Sequence, residues 1–358
     1  MVVLMLKKLW VNRVLSVASA LLLVLLSSQS RAEVVEDLYS GLVPVADRSA
    51  AALQQAARDA LEQVLVKVSG TSELLEDEGI QEALADARSQ VQQYAYAREQ
   101  DLLGRDRVRI EFDDAYVTRL VANAGAALWT ANRPLVLVWL VMEDGADRYF
   151  VNPETEPELS KQLLAEFNRR GVPVRLPLFD LADTASLDTA DAWQLRGAPV
   201  LAASERYGVE HVLAGRVALL SAGTATGDWS YWFGEDRSDR AVSSDDATQF
   251  MRDGVDLVAE SLARRYAVAL SGTASGSLAM SVTGVNSYAD YATIIAWLES
   301  LELIDHANVE AINGDSLDLR LMTRADAAQL GKVIELEPRL QPLATVVGAA
   351  PLSYQWAN

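Results

Sequence analysis

Two histidines, His211 and His306, are the only imidazoles in this chain, and it has no cysteine. Nucleophilic catalysis needs a nucleophile, a base and an orienting group within hydrogen-bond reach. His211 follows Glu210 at the start of an apolar run, where a strand is expected. No Gly-x-Ser-x-Gly elbow accompanies it, so its ring nitrogens are expected to bond inside the fold. His306, beside Asp305, is expected at the surface. The missing thiols exclude disulfides, thiolate metal sites, iron–sulfur ligation, a cysteine nucleophile and a lipidated amino-terminal cysteine. Two histidines also leave little room for a multi-histidine metal site.

Carboxylates are abundant, and abundance alone carries no chemistry. Asp-Thr-Ala occurs at 183–185 and 188–190 but lacks the glycine of an aspartic-protease triplet. A catalytic dyad requires both acids in one pocket. Glu73, Glu76, Asp77 and Glu78 could gather a cation through oxygen, yet no glycine-centred twelve-residue loop surrounds them. Solvated charge at a helix amino-terminus is the expectation there. Phosphate cradles of the Gly-x-x-x-x-Gly-Lys or Gly-x-Gly-x-x-Gly kind are absent, and Gly272 and Gly276 fall in a linker-like run. No catalytic residue, cofactor site or metal site is therefore expected.

The aromatic run Trp229-Ser-Tyr-Trp-Phe233 offers a different possibility. In a strand Trp229 and Tyr231 share one face, and Trp232 takes the other. If one face stays open, Trp229, Tyr231 and Trp232 are candidates for partner binding, as is Trp356 in the tail. Trp129 and Trp139 flank the first block junction and are expected to glue it.

The chain begins like a secretory signal. Lys7, Lys8 and Arg13 precede an uncharged run at 14–26, and Ser30-Arg31-Ala32 sets small residues at −3 and −1. Cleavage between Ala32 and Glu33 is expected. The apolar run is shorter than the ~20 residues a bilayer core needs, and no later run matches it. A freely diffusing periplasmic protein, with no membrane span after cleavage, is the expected product. Losing Lys7, Lys8, Arg13 and Arg31 takes the net charge from −19 to −23. Such a surface repels phosphate backbones, so nucleic acid is an unsuitable partner. The composition, 50% hydrophobic and 23% charged, is that of a folded chain and not a disordered one.

The elements behind these residues fall into blocks. Residues 33–130 read as an α+β amino-terminal domain: a strand at 35–45, a helix capped by Ser49 and stopped by Gly70, a second helix at 80–93, a hairpin around Gly104 and a closing helix at 115–124. Residues 134–270 read as a central α/β domain, a mixed sheet covered by helices, with strands at 135–142, 172–178, 211–220 and 228–233. Residues 271–277 read as a linker. Residues 278–337 give the order βαββα, a two-layer unit whose hairpin turns at Asn313-Gly314. Residues 338–358, with three prolines, read as an irregular tail. The fold class is α+β / α/β, three small mixed modules, with no evident repeat.

The segments 38–47, 60–70 and 134–141 resemble the uncharacterised bacterial envelope family catalogued as domain of unknown function (DUF) family 2066. That resemblance brings no activity, cofactor or site residue. The central block, with Tyr207-Gly-Val-Glu-His-Val-Leu-Ala-Gly-Arg216, is loosely similar to small α/β domains of periplasmic accessory proteins. These include the amino-terminal domain of the Tol-system translocation protein, curli-secretion lipoproteins and penicillin-binding-protein activators. The first block is similar to the amino-terminal module of flagellar T-ring proteins. These likenesses imply protein–protein work at the envelope. The expected function is a non-catalytic periplasmic accessory or scaffold protein whose partners are envelope proteins. The alternatives are a carboxylate-based envelope hydrolase and a small-ligand binder.

Overall fold

The computed structural model describes residues 32–98, 100, 104–145, 147–220, 224–269, 276–343 and 350–357. The expected leader up to Arg31 and linker residues 271–275 lie outside them. The chain is α+β, with several mixed sheets.

Strand β1 (Ala32–Val34) pairs with a strand met later. Then come β2 (Ser40–Pro44), α1 (Ala50–Ser69), α2 (Glu78–Ala85), β3 (Val91–Tyr96), β4 (Arg107–Phe112) and α3 (Asp114–Asn123). The Ser49 side chain accepts the Ala52 N–H at the start of α1, and Gly70 closes it at φ 78. Leu53, Ala57, Leu61, Val64, Leu65 and Val68 bury one face at helical spacing. That face lies on a three-stranded sheet ordered β2-β4-β3. Gly41 allows the contact, since a Cβ there would stand 2.7 Å from the Ala60 main chain. The expected strand at 35–45 is thus shorter, and residues 36–39 turn before it.

Strand β5 (Asn132–Pro134) pairs antiparallel with β1 and sets Glu33 opposite Arg133. The central sheet uses β6 (Val136–Asp144), β7 (Asp147–Phe150), β8 (Val174–Arg175), β9 (His211–Leu219), β10 (Ala225–Phe233) and β11 (Asp236–Ser244). Its order is β11-β10-β9-β6-β7, with β8 also on β6, and β6 and β9 run parallel. The continuous apolar run of β6 serves two faces. Val136, Val138, Leu140 and Met142 meet α4 (Pro157–Arg170) and α8 (Ala247–Tyr266). Leu137, Trp139 and Val141 meet the short helices α5 (Leu181–Ser186), α6 (Thr189–Trp193) and α7 (Gly197–Ser204). The strand expected at 172–178 shrinks to two residues, because Pro173 and Pro177 each remove a ladder donor.

The last sheet comprises β12 (Gly276–Thr283), β13 (Ile304–Asn313), β14 (Ser316–Thr323), β15 (Leu340–Pro342) and β16 (Leu352–Trp356), with α9 (Tyr288–Glu299) and α10 (Ala327–Ile334). Its order is β13-β14-β12-β16-β15. The expected βαββα core is present, but the tail is not irregular. β16 runs parallel to β12 and buries Leu352, Tyr354 and Trp356 at alternate positions. Prolines 342 and 351 stand at strand ends, where they cost no ladder bond. The β13–β14 turn is centred on Gly314-Asp315, since Asn313 pairs with Ser316.

The expectation of no repeat also fails at the level of topology. The first and last sheets share one connection, strand–helix–strand–strand–helix, with the third strand between the first and second. Both neighbours of that middle strand run antiparallel to it. The two apolar interiors form one continuous cluster.

Candidate functional site

Polar groups that could carry chemistry gather in three places. The first is the segment 129–133, where the sheets meet. The Arg133 side chain is fully buried. Its Nε donates to Thr130 O, Nη1 to Arg170 O and Gly171 O, and Nη2 to Lys67 O and Trp129 O, all at 2.8–3.0 Å. Five N–H groups therefore meet five main-chain carbonyls, with no carboxylate among them. Two of these carbonyls close α4 and one lies near the end of α1, where helix dipoles favour a cation. The guanidinium also lies 3.8 Å from the centre of the Trp129 ring. Burial pulls its pKa down to about 9.

Lys67 Nζ donates to Asp37 O at 3.0 Å and Ser40 O at 2.8 Å. Burial, then Arg133, lowers its pKa to about 8. Arg170 donates to Asp256 at 2.5 Å and to Gly70 O at 2.8 Å. Glu302, from the last sheet's unit, accepts the Ala131 N–H at 3.0 Å, and burial raises its pKa. A cleft of about 290 Å³ lies alongside, lined by Glu33, Asp37, Asn168, Gly171 and Pro173 among others. Gly171 passes the two cations: a Cβ there would stand 2.8 Å from Lys67 Cγ and 2.9 Å from Arg133 Nη1. Arg133, with every donor met by a carbonyl, and Lys67, on two carbonyls, hold segments together. They present no open charge to an anion.

The second place is His211. Its Nδ1 lies 2.7 Å from Tyr231 Oη and its Nε2 3.5 Å from Tyr266 Oη. The ring stacks on Phe233 at 4.3 Å. Burial, helped by Arg265, lowers its pKa to about 3. Burial raises the Tyr231 and Tyr266 pKa values. The trio is thus a neutral imidazole between two protonated phenols, a packing device with no exposed reacting face. The sequence expectation of a satisfied structural ring agrees with this geometry. His306 is exposed on β13.

The third place is the turn 178–181. Asp183, 1% exposed, accepts from Phe179 N at 2.8 Å, Tyr207 Oη at 2.5 Å and Arg206 Nη1 at 2.9 Å. Arg206 also binds Asp180, whose pKa it lowers, and Asp180 caps α5 through the N–H groups of Ala182 and Asp183. Tyr207 Oη accepts the Leu178 N–H at 2.9 Å. These bonds hold Phe179 at φ 55, a left-handed backbone without glycine. The Phe179 ring tucks against Trp139 and Phe150. Leu178 and Leu181 point away, 71% and 89% exposed. Asp183 of the Asp-Thr-Ala triplet therefore anchors a turn, and Asp188 of the other caps α6. Neither leucine stood out in the sequence, where the expected strand ran to Leu178 and stopped short of Leu181. Pro177 followed by an Asp-x-x-Asp cap was the available signal.

The four aromatic candidates are corrected here. Trp229, Tyr231, Trp232 and Trp356 are all buried. Trp229 and Tyr231 share the α8 face and Trp232 takes the other, but helices cover both. Trp229 fills a slot left by Gly215 and Gly254 and donates to Phe250 O at 3.0 Å. Trp356 donates to Asp290 at 3.2 Å under the Arg339 guanidinium. Trp129 sits at the junction as expected, whereas Trp139 packs on the far face of the central sheet. Asp77 caps α2, and Glu73 and Glu76 lie on a short turn before it. Among the described residues no group of three His, Asp or Glu could hold a metal ion, and no helix is long and apolar enough to cross a membrane.

No curated protein matches the chain. A solved structure titled "Crystal structure of uncharacterized protein" is similar at 10% identity over 36% of this chain and 90% of its own, with a TM-score of 0.17, too slight to bear on the fold. Residues 32–130 match the model of the family described as domain of unknown function (DUF8605), a similarity that fits an uncharacterised family.

Proposed function

We propose that the chain is a non-catalytic accessory or scaffold protein of the bacterial cell envelope, working in the periplasm through protein–protein contacts. Its modules at 33–130, 134–270 and 278–337 serve as one rigid carrier. The observation that carries this reading is the turn 178–181. Scattered surface leucines are ordinary, but here a strained backbone and a buried carboxylate fix two of them outward together. A rigid apolar pair loses little entropy on docking, which suits a contact to a partner's apolar recess. The leader-like residues 1–32 support export. The likeness of segments 38–47, 60–70 and 134–141 to DUF family 2066, and the looser one to Tol-type and related domains, support the envelope address.

The test is proximity labelling from the protein in its native periplasm, comparing the wild type with Leu178→Asp/Leu181→Asp. A defined set of envelope proteins labelled by the wild type and lost in the double variant supports the reading. Labelling that is indiscriminate, or unchanged by the double variant, counts against it. So does retention of the chain in the cytosol.

A further inference from the structure

Exposed sheet edges invite pairing with another strand, and proteins guard them with charge, bulges, proline or brevity. Most edges of this protein are guarded. β11 carries Asp236, Arg237, Asp239 and Arg240. β13 has two register shifts and carries Asp305 and Glu310. β7 has four residues, two of them charged, and β15 has three and ends in Pro342. β2 is largely buried, and Lys67 bonds the main chain at its start.

β3 differs. Its six residues, Val-Gln-Gln-Tyr-Ala-Tyr, contain no charge and no proline, in a chain that is 23% charged. It pairs only with β4 among the described residues, and residues 92–95 are exposed. Ala97 N–H donates to Arg107 O, so the antiparallel alternation turns the N–H and C=O groups of Tyr94 and Tyr96 outward. The two rings are held in place. They meet edge to face at 6.2 Å, with Arg88 over Tyr94 and Arg48 over Tyr96. This ordering lowers the entropy lost on pairing.

The charges around the edge are graded along it. At its start Gln92 donates to Asp113, and Glu111 stands opposite Gln93. At its end Arg98 follows the strand and Arg107 stands opposite Ala97 on β4, while Arg48 over Tyr96 and Arg109 on β4 are bonded to Asp106 and Asp37. A parallel neighbour of the same kind would set like charges together. An antiparallel one sets the acidic start against the basic end, twice over.

We infer that β3 is the contact through which two copies of this chain associate, antiparallel edge to edge about a two-fold axis near Tyr94. Main-chain bonds from Tyr94 and Tyr96 join the copies, and the two three-stranded sheets become one of six strands. The junction is self-complementary, as a two-fold interface must be. It is short, so the dimer is weak and forms at high local concentration. This surface is separate from the leucine turn, and either can stand without the other.

The experiment is sedimentation velocity over a wide concentration range on the protein made from its full gene. The comparison variants are Tyr94→Pro and Tyr94→Lys. Proline at an outward-facing position of an edge strand removes no bond to β4. Lysine sets two cations opposite each other across the axis. Circular dichroism checks that both variants fold. The expected result is a mass that climbs from monomer toward dimer with concentration, with association at least tenfold weaker in each variant. Arg98→Glu should also weaken it, and high salt should do the same for the wild type. A monomer at every concentration overturns the inference, as does a dimer unaffected by both Tyr94 variants. Capture of a foreign strand at β3 without self-association overturns it too, while leaving the proposed envelope role intact.

Discussion

Taking the pH from 6.5 to 4.5 should remove about 2 kcal/mol of stability through His211 alone, because its folded pKa of about 3 lies far below the ~6.5 of a free imidazole. Below 6.5 the unfolded chain binds this proton and the folded chain refuses it. The unfolded state therefore gains, and stability falls with pH at up to about 1.4 kcal/mol per unit for this one group. The loss continues until pH nears the folded value. Carboxylates with lowered pKa values, Asp239 and Asp290 among them, act in the same direction but at lower pH. Glu302, whose pKa burial raises, acts in the opposite direction within this window, so the imidazole is read from the difference between wild type and a variant that lacks it. Protonation would also place a cation beside Arg265 and against Phe233, where the ring nitrogens meet only the phenols of Tyr231 and Tyr266. The variant His211→Asn keeps a polar atom near Nδ1 for Tyr231 and cannot titrate. It should be less stable than wild type at pH 7, since the stack on Phe233 is lost. Its dependence on pH should be shallower across the window. Urea unfolding at half-unit steps measures both slopes. Equal slopes in wild type and variant would refute the argument that desolvation sets this group's state.

Other perturbations test the remaining clusters. Arg133→Lys leaves at least two of five buried carbonyls without donors and should cost about 3–5 kcal/mol in urea unfolding. Gly254→Ala places a Cβ 2.3 Å from the Trp229 ring and should cost about 1–3 kcal/mol; Trp229→Phe in the same chain should recover part of it. Asp183→Ala releases the N–H of Phe179, and limited proteolysis should then cut near 178–181, where the wild type resists. Trp356→Ala empties a buried site of the last sheet and should lower stability by about 3–5 kcal/mol, which a mobile tail would not.

Most helices were legible because caps and spacing mark them locally, but the helix expected at 80–93 stops at Ala85, and Val91 to Gln93 begin β3. Ser49 and Gly70 bound α1, and the 247–266 helix appears nearly as its periodicity predicts. The apolar run of β6 reported a strand covered on both sides before any partner was known. Strand ends near prolines were less legible. Pro177 was read through, and Pro342 and Pro351 hid β15 and β16, although Leu352, Tyr354 and Trp356 alternate plainly. The shared topology of the first and last sheets had no sequence signal. Their first connections differ in length, and α2 interrupts only one of them. The aromatic run at 229–233 gave its two faces correctly, but the helices that cover them come from elsewhere in the chain. The 178–181 turn depends on Arg206 and Tyr207, more than twenty residues away, and such pairing is not written locally.

The five carbonyls around Arg133 belong to segments far apart along the chain, and the adjoining Ala131 is tied to Glu302. If any one segment peeled away, a guanidinium would be stranded in a water-poor interior short of acceptors. Partial opening is therefore penalised more than its own area suggests, and the whole assembly should melt in a single calorimetric transition instead of sheet by sheet.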